Sequence, residues 1–167
     1  MMAAREPDVR TDRSAMTRTD SATRTIKASP ETIFRALMDP DAVVAWLPPA
    51  GMRGQIYAFD PRQGGSYRMA LVYEAGHSAP GKSSEHTDVV QGQFLQVVPC
   101  ERVMKAVKFE SKDIAFDEAM LVTWLPAVSP QGTKVTVICE NVPPGIREED
   151  HDVGLRSTLD NLATFVE

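Results

Sequence analysis

The chain has 167 residues, 43% of them hydrophobic and 25% charged, with a formal net charge of -5. That length is one domain's worth and can bury a core without staples. The mild acidity argues against a nucleic-acid partner, which needs a basic face, and no run reaches the roughly 20 apolar residues of a membrane span.

From Met1 to Asp20, arginines and acids alternate with no helical or strand period, and the apolar segment of a signal peptide is missing. Residues 1–18 read as a disordered tail before a single domain over residues 19–167. Ordered patterning begins after Met16, a candidate start; a chain beginning there is expected to keep its melting temperature. Cys100 and Cys139 lie far apart and read as free thiols in a reducing cytoplasm.

Ser21 to Ala28 alternates weakly and predicts a first strand. Ser29-Pro30-Glu31 then starts a helix, with a capping hydroxyl, a proline suited to the first turn and an acid at the positive dipole end. Ile33, Phe34, Leu37 and Met38 form its apolar face. Asp39-Pro40 repeats the signal for a second short helix to Trp46, ended by Pro48-Pro49-Ala50-Gly51. Strands follow at Gln55 to Asp60 and Ser66 to Glu74, joined by a turn at Gly64-Gly65. A polar loop from Ala75 to Ser84 precedes strands at Thr87 to Val98, Arg102 to Phe109, Glu118 to Leu125 and Thr133 to Glu140. Pro143-Pro144-Gly145 breaks the pattern. The strongest helix then runs from Glu148 to Val166, with acids in its first turns and a stripe of Val153, Leu155, Leu159, Leu162, Ala163 and Val166. Only a consecutive antiparallel sheet with one apolar face is large enough to cover that stripe.

This order of elements resembles the helix-grip fold of the START/Bet v 1-like (SRPBCC) superfamily. The residues look like the branch related to the C-terminal domain of the Hsp90 ATPase activator. The matching segments are Ile26-Lys27-Ala28-Ser29-Pro30-Glu31 with Ile33 to Leu37, Asp39-Pro40, Trp46, Asp60-Pro61-Arg62 and Gly64 to Met69. Gly92-Gln93-Phe94, Thr133 to Thr136 and Leu159 to Ala163 complete them. The resemblance spans about Ser21 to Glu167. It implies an α+β fold in which a curved antiparallel sheet of about seven strands wraps around the C-terminal helix, with two short helices between the first two strands. It also implies a cavity between sheet and helix.

Strand parity points Tyr67, Met69, Leu71, Val107, Val122 and Trp124 into that space, beneath Leu155, Leu159 and Leu162. Trp46 and Phe59 are expected near the mouth, and Met69, Met104 and Met120 suit a pocket that adapts to several ligands. Lys105 shares the parity of Val103 and Val107; it is either a buried amine able to meet a ligand acid or turned to solvent by a bulge. Arg68 is expected on the outer face. His77, His86 and His151 share no metal-ligand spacing, so no metal and no cofactor are implied. His151 is expected to cap or pack at the helix start, and Ser83, Ser84 and His86 build no hydrolase triad.

Three functions follow. The first is binding or sequestration of a small apolar molecule. The second is a cavity-based enzyme, of the cyclase, aromatase or hydrolase kind, using Lys105, Tyr67, Tyr73 or His151. The third, implied by the resemblance, is a co-chaperone stimulating an Hsp90-type ATPase; that family carries a separate N-terminal domain, whereas a short polar tail precedes the fold here, so a chaperone partner is not expected. An outward patch with Ile138 and Val72 could support a homodimer.

Overall fold

The computed structural model describes residues 17–74, 87–116 and 118–167. The expectations for the tail up to Met16, and for the loop with His77, Ser83, Ser84 and His86, lie outside the described residues.

Seven strands form one antiparallel sheet: β1 (Thr19–Ile26), β2 (Met52–Phe59), β3 (Ser66–Tyr73), β4 (Thr87–Val98), β5 (Arg102–Phe109), β6 (Met120–Ser129) and β7 (Gly132–Glu140). Their spatial order is β1-β7-β6-β5-β4-β3-β2, so the first two strands in sequence sit at opposite edges. Between them run α1 (Pro30–Met38) and α2 (Pro40–Trp46), and the chain ends in α3 (Glu148–Val166). This is the helix-grip arrangement expected from the sequence.

The short helices form where their caps dictate. The Ser29 side chain accepts from the Thr32 amide, and the Asp39 side chain from the Asp41 amide, each followed by proline in the first turn. Trp46 then donates its indole N–H to the Ala36 carbonyl at 2.9 Å, satisfying an orphan acceptor near the end of α1.

Several strand boundaries differ from expectation, β1 lying two residues earlier than expected, and two of the differences have clear physical reasons. β2 starts at Met52 because its pairing with β3 extends to Tyr73. β6 runs on through Pro126 to Ser129 because only β7 accompanies it past Trp124, and a proline is tolerated where a strand has an open side.

The core lies between the concave face of the sheet and the three helices. α3 packs most closely on β1 and touches α1 and α2. Only its second half is buried, through Thr158, Leu159, Leu162 and Ala163. That half is also stitched in place by polar side chains. Thr158 donates to the Leu47 carbonyl at 3.2 Å, Asn161 to the Pro48 carbonyl at 2.8 Å, and Ser157 accepts from the Ala50 amide at 3.0 Å. Cys100 and Cys139 are both free thiols.

Candidate functional site

The concave face has a closed end and a looser end. At the closed end Trp46 and Trp124 are 2% and 3% exposed and meet edge to face, with ring centroids 5.4 Å apart. Leu159 and Leu162 are buried in the same core. Trp46, expected at the mouth, is instead a sealed strut, because its indole nitrogen is consumed by the end of α1.

Tyr67, Met69, Met120 and Val122 are buried members of the wall. Phe59, Leu71, Val107 and Leu155 pack against them but stay partly accessible. Phe59 stacks edge to face on Phe94 at 5.5 Å, and Phe94 meets Tyr67 at 5.5 Å. The Tyr67 hydroxyl donates to the Ala106 carbonyl at 3.2 Å, crossing β4 above Gly92. A Cβ at Gly92 would lie 1.8 Å from the Ala106 oxygen and 2.8 Å from the Tyr67 hydroxyl, so this position admits only glycine. Burial raises the Tyr67 pKa well above the ordinary phenol range, which keeps the hydroxyl a donor.

Met104 is not part of the wall. It pairs with Thr123, one residue out of step with the Val103–Trp124 and Lys105–Val122 pairs, and so belongs to the convex face. Its flexible thioether fits a pocket chemically, but the alternation of side chains along β5 points it away.

Lys105 faces inward. β5 pairs with β6 without a break across this position; the irregularity falls on β4, between Phe94 and Gln96. Its Nζ lies 5.3 Å from the Tyr67 ring centroid and 5.9 Å from that of Phe94. Cation–π attraction of this kind is worth about 0.5–2 kcal/mol. Among the described residues Lys105 makes no hydrogen bond and no ion pair. No sealed side-chain nitrogen or oxygen lacks a partner there. The ammonium therefore keeps a trace of accessible surface in spite of its burial. Burial pulls its pKa down to about 8, partly countered by the Cys139 thiol, so the group remains mostly cationic at neutral pH.

A second polar group lies on the same cross-strand row, which runs Lys105, Val122, Cys139, Asp20. Asp20 is 8% exposed. Its carboxylate accepts from Nδ1 of His151 at 2.6 Å and from Nε and Nη2 of Arg18 at 3.2 and 3.0 Å. Burial pushes its pKa up, but the hydrogen bonds and charges of His151 and Arg18 outweigh this and leave it lowered. A pocket of about 150 Å³, lined by Asp20, Glu148, Asp152 and Leu155 among others, opens beside the pair. Burial raises the neighbouring Cys139 thiol to about 12.

The sequence reading missed Asp20. It placed that residue outside the first strand, and 131 positions separate it from His151, so only the pairing of β1 under α3 brings them together. His151 packs at the helix start as expected, where its partner is Asp20. Arg68 sits on the outer face as expected, paired with Glu110 at 2.6 Å and lying over the Tyr57 ring.

Another cleft, of about 390 Å³, opens outside the cup between the α2–β2 loop and the second half of α3, lined by Pro48, Pro49, Met52, Asn161 and Phe165 among others. None of the residues predicted for the site lines it. No helix among the described residues is long and apolar enough to cross a membrane, and no cluster of metal-ligating side chains occurs among them.

Comparison with known proteins places this architecture. The protein CV1439 from Chromobacterium violaceum is 30% identical over 89% of this chain and 96% of its own, with a TM-score of 0.79. The AHSA1-like protein from Aeromonas hydrophila shares the fold at 19% identity, covering 89% of this chain and 92% of its own, with a TM-score of 0.66. Mll3558 from Rhizobium loti does so at 23% identity, covering 90% and 97%, with a TM-score of 0.68. No curated protein matches the chain. The family model described as "Activator of Hsp90 ATPase homolog 1-like protein" matches residues 27–167, the sheet beyond β1 and all three helices, and the chain belongs to that family.

Proposed function

We propose that this protein binds a small hydrophobic ligand in the cup between the sheet and α3. The observation that carries the reading is the uneven closure of the concave face. Trp46, Trp124, Leu159 and Leu162 are sealed at one end, whereas Leu71, Val107, Phe109 and Leu155 remain partly accessible at the other. Concave apolar surface with a few convergent polar groups is the usual form of a small-molecule site. α3 favours this too, since it packs most closely on β1 and leaves the central strands less covered. The test is thermal shift across lipids, sterols, flavonoids and polyketides. A ligand at a hundred times its Kd adds about 2.7 kcal/mol, or about 5–10 °C for a domain of this size. A flat response across the library, with no adducts in native mass spectra, would sink the reading.

A second reading is acid–base chemistry on the same ligand. It is favoured by the His151–Asp20 pair, in which the carboxylate holds Nδ1 and leaves Nε2 as the basic nitrogen. If it holds, His151→Gln loses turnover on whatever ligand is found while melting within a few degrees of the parent. Unchanged turnover removes it.

A further inference from the structure

We propose that the ligand of the cup is an apolar molecule carrying a single carboxylate, and that Lys105 is the residue that recognises the carboxylate. This deepens the reading above and rests on it.

Lys105 lies in the middle of β5, flanked across the strands by Phe94 and Val122. An ammonium has three N–H donors, and among the described residues this one uses none of them on an oxygen. The Tyr67 and Phe94 rings attract the positive charge but offer it no anionic acceptor. Asp20, the acid on the same cross-strand row, is three strands away, about 14 Å at ordinary strand spacing. Its oxygens are already engaged by His151 and Arg18. Among the described residues, the centre of the cup thus holds a positive charge with no counter-charge at hand.

A charge in apolar surroundings is costly unless it is paired. An entering carboxylate supplies the missing acceptor and the missing charge together, and the charge-assisted bond it makes is of the strong kind. A neutral ligand of the same shape leaves the ammonium as it was. A cationic ligand is repelled, and a dianion brings a second charge that the apolar wall cannot meet. Leu71, Val107 and Leu155, partly accessible at the looser end, are placed to take the apolar body.

The experiment is isothermal titration of the full chain with two matched sets: decanoic acid against decanamide and decanol, and 2-naphthoic acid against 2-naphthamide. The expected result is that an acid binds at least tenfold more tightly than its neutral partners, a difference of about 1.4 kcal/mol. In Lys105→Met that preference is expected to vanish while neutral binding persists, and Lys105→Arg is expected to keep part of it. Equal binding of acid and neutral partners by the parent protein overturns the carboxylate assignment and leaves the cup intact as a ligand site. A preference for acids that survives in Lys105→Met removes Lys105 from the role. Binding of none of the five compounds overturns both the assignment and the cup.

Discussion

Lys105 and Asp20 are two charges on one row of the sheet with opposite consequences for stability. Among the described residues Lys105 has no hydrogen-bonding or anionic partner, so it should cost folding energy whenever it is protonated. Below about pH 8 it is charged in both folded and unfolded chains, and the penalty is constant. Between pH 8 and about 10.5 the folded chain has released the proton and the unfolded chain has not. The unfolded state then binds more protons, so this group makes stability rise with pH across that window. Lys105→Met, similar in length and apolar, is expected to raise stability at pH 7 by about 1–3 kcal/mol in the absence of ligand. The gap to the parent should close as pH approaches 10, as read by urea unfolding at pH 7, 8.5 and 10. A variant less stable than the parent at pH 7 would mean the amine is already compensated.

Asp20 works the other way. Its folded pKa is depressed, so its contribution is complete above the unfolded value near 3.8 and is lost as pH falls through the lower folded value. Asp20→Asn should cost about 1.5–3 kcal/mol at pH 7, the usual worth of hydrogen bonds to a charged group. The difference from the parent should shrink below pH 4, where parent and variant both become neutral at this position. A constant difference down to pH 2.5 in urea unfolding would show that packing, not the charge, is being measured. Neither charge could be assigned from the sequence. The parity of β5 left Lys105 open between the cup and solvent, because a single bulge reverses every later side chain. The bulge exists, but on the neighbouring strand.

At the scale of elements, what was legible is what local chemistry decides. Ser29-Pro30 and Asp39-Pro40 started α1 and α2 where capping rules put them. The limits of β4, β5 and α3 were readable because turn residues or prolines bracket each apolar pattern. What was not legible depends on partners distant in sequence. The Thr158 and Asn161 bonds to the α2–β2 loop decide which half of α3 is clamped, and nothing in helical periodicity announces them. Two glycines give a test of opposite sign. Gly92→Ala drives a Cβ into the Ala106 carbonyl and the Tyr67 hydroxyl, so it should destabilise by at least about 2 kcal/mol, as an overpacked core does. Gly154→Ala, in α3, meets nothing within 4 Å. It should stabilise by about 0.5–1 kcal/mol through helix propensity alone. Chemical denaturation of both variants checks the pair, and a destabilised Gly154→Ala would show that α3 needs flexibility there to stay folded.

At the scale of the whole molecule, stability should be graded from one side of the sheet to the other. β7 and β6 are interior strands, and α3 closes over β1 beside them, while β2 is an edge strand on which that helix does not pack closely. α3 itself is graded: from Glu148 to Ser157 no residue is fully buried, and from Thr158 onward four are. Local opening follows such differences, because segments with few buried contacts separate before the global transition. Hydrogen exchange at neutral pH should therefore find the slowest amides in β6, β7 and the second half of α3. The first half of α3 and the outer edge of β2 should exchange much sooner. A ligand seated in the cup would contact the looser end, where Leu155 on the first half of α3 stays partly accessible. Decanoic acid at saturation should then slow exchange in that half-helix and in β5 more than in β7, whose amides are already near the global limit. Uniform slowing across all seven strands would indicate simple stabilisation of the folded state. Slowing confined to residues around Pro48 and Asn161 would place the ligand in the outer cleft and not under the helix.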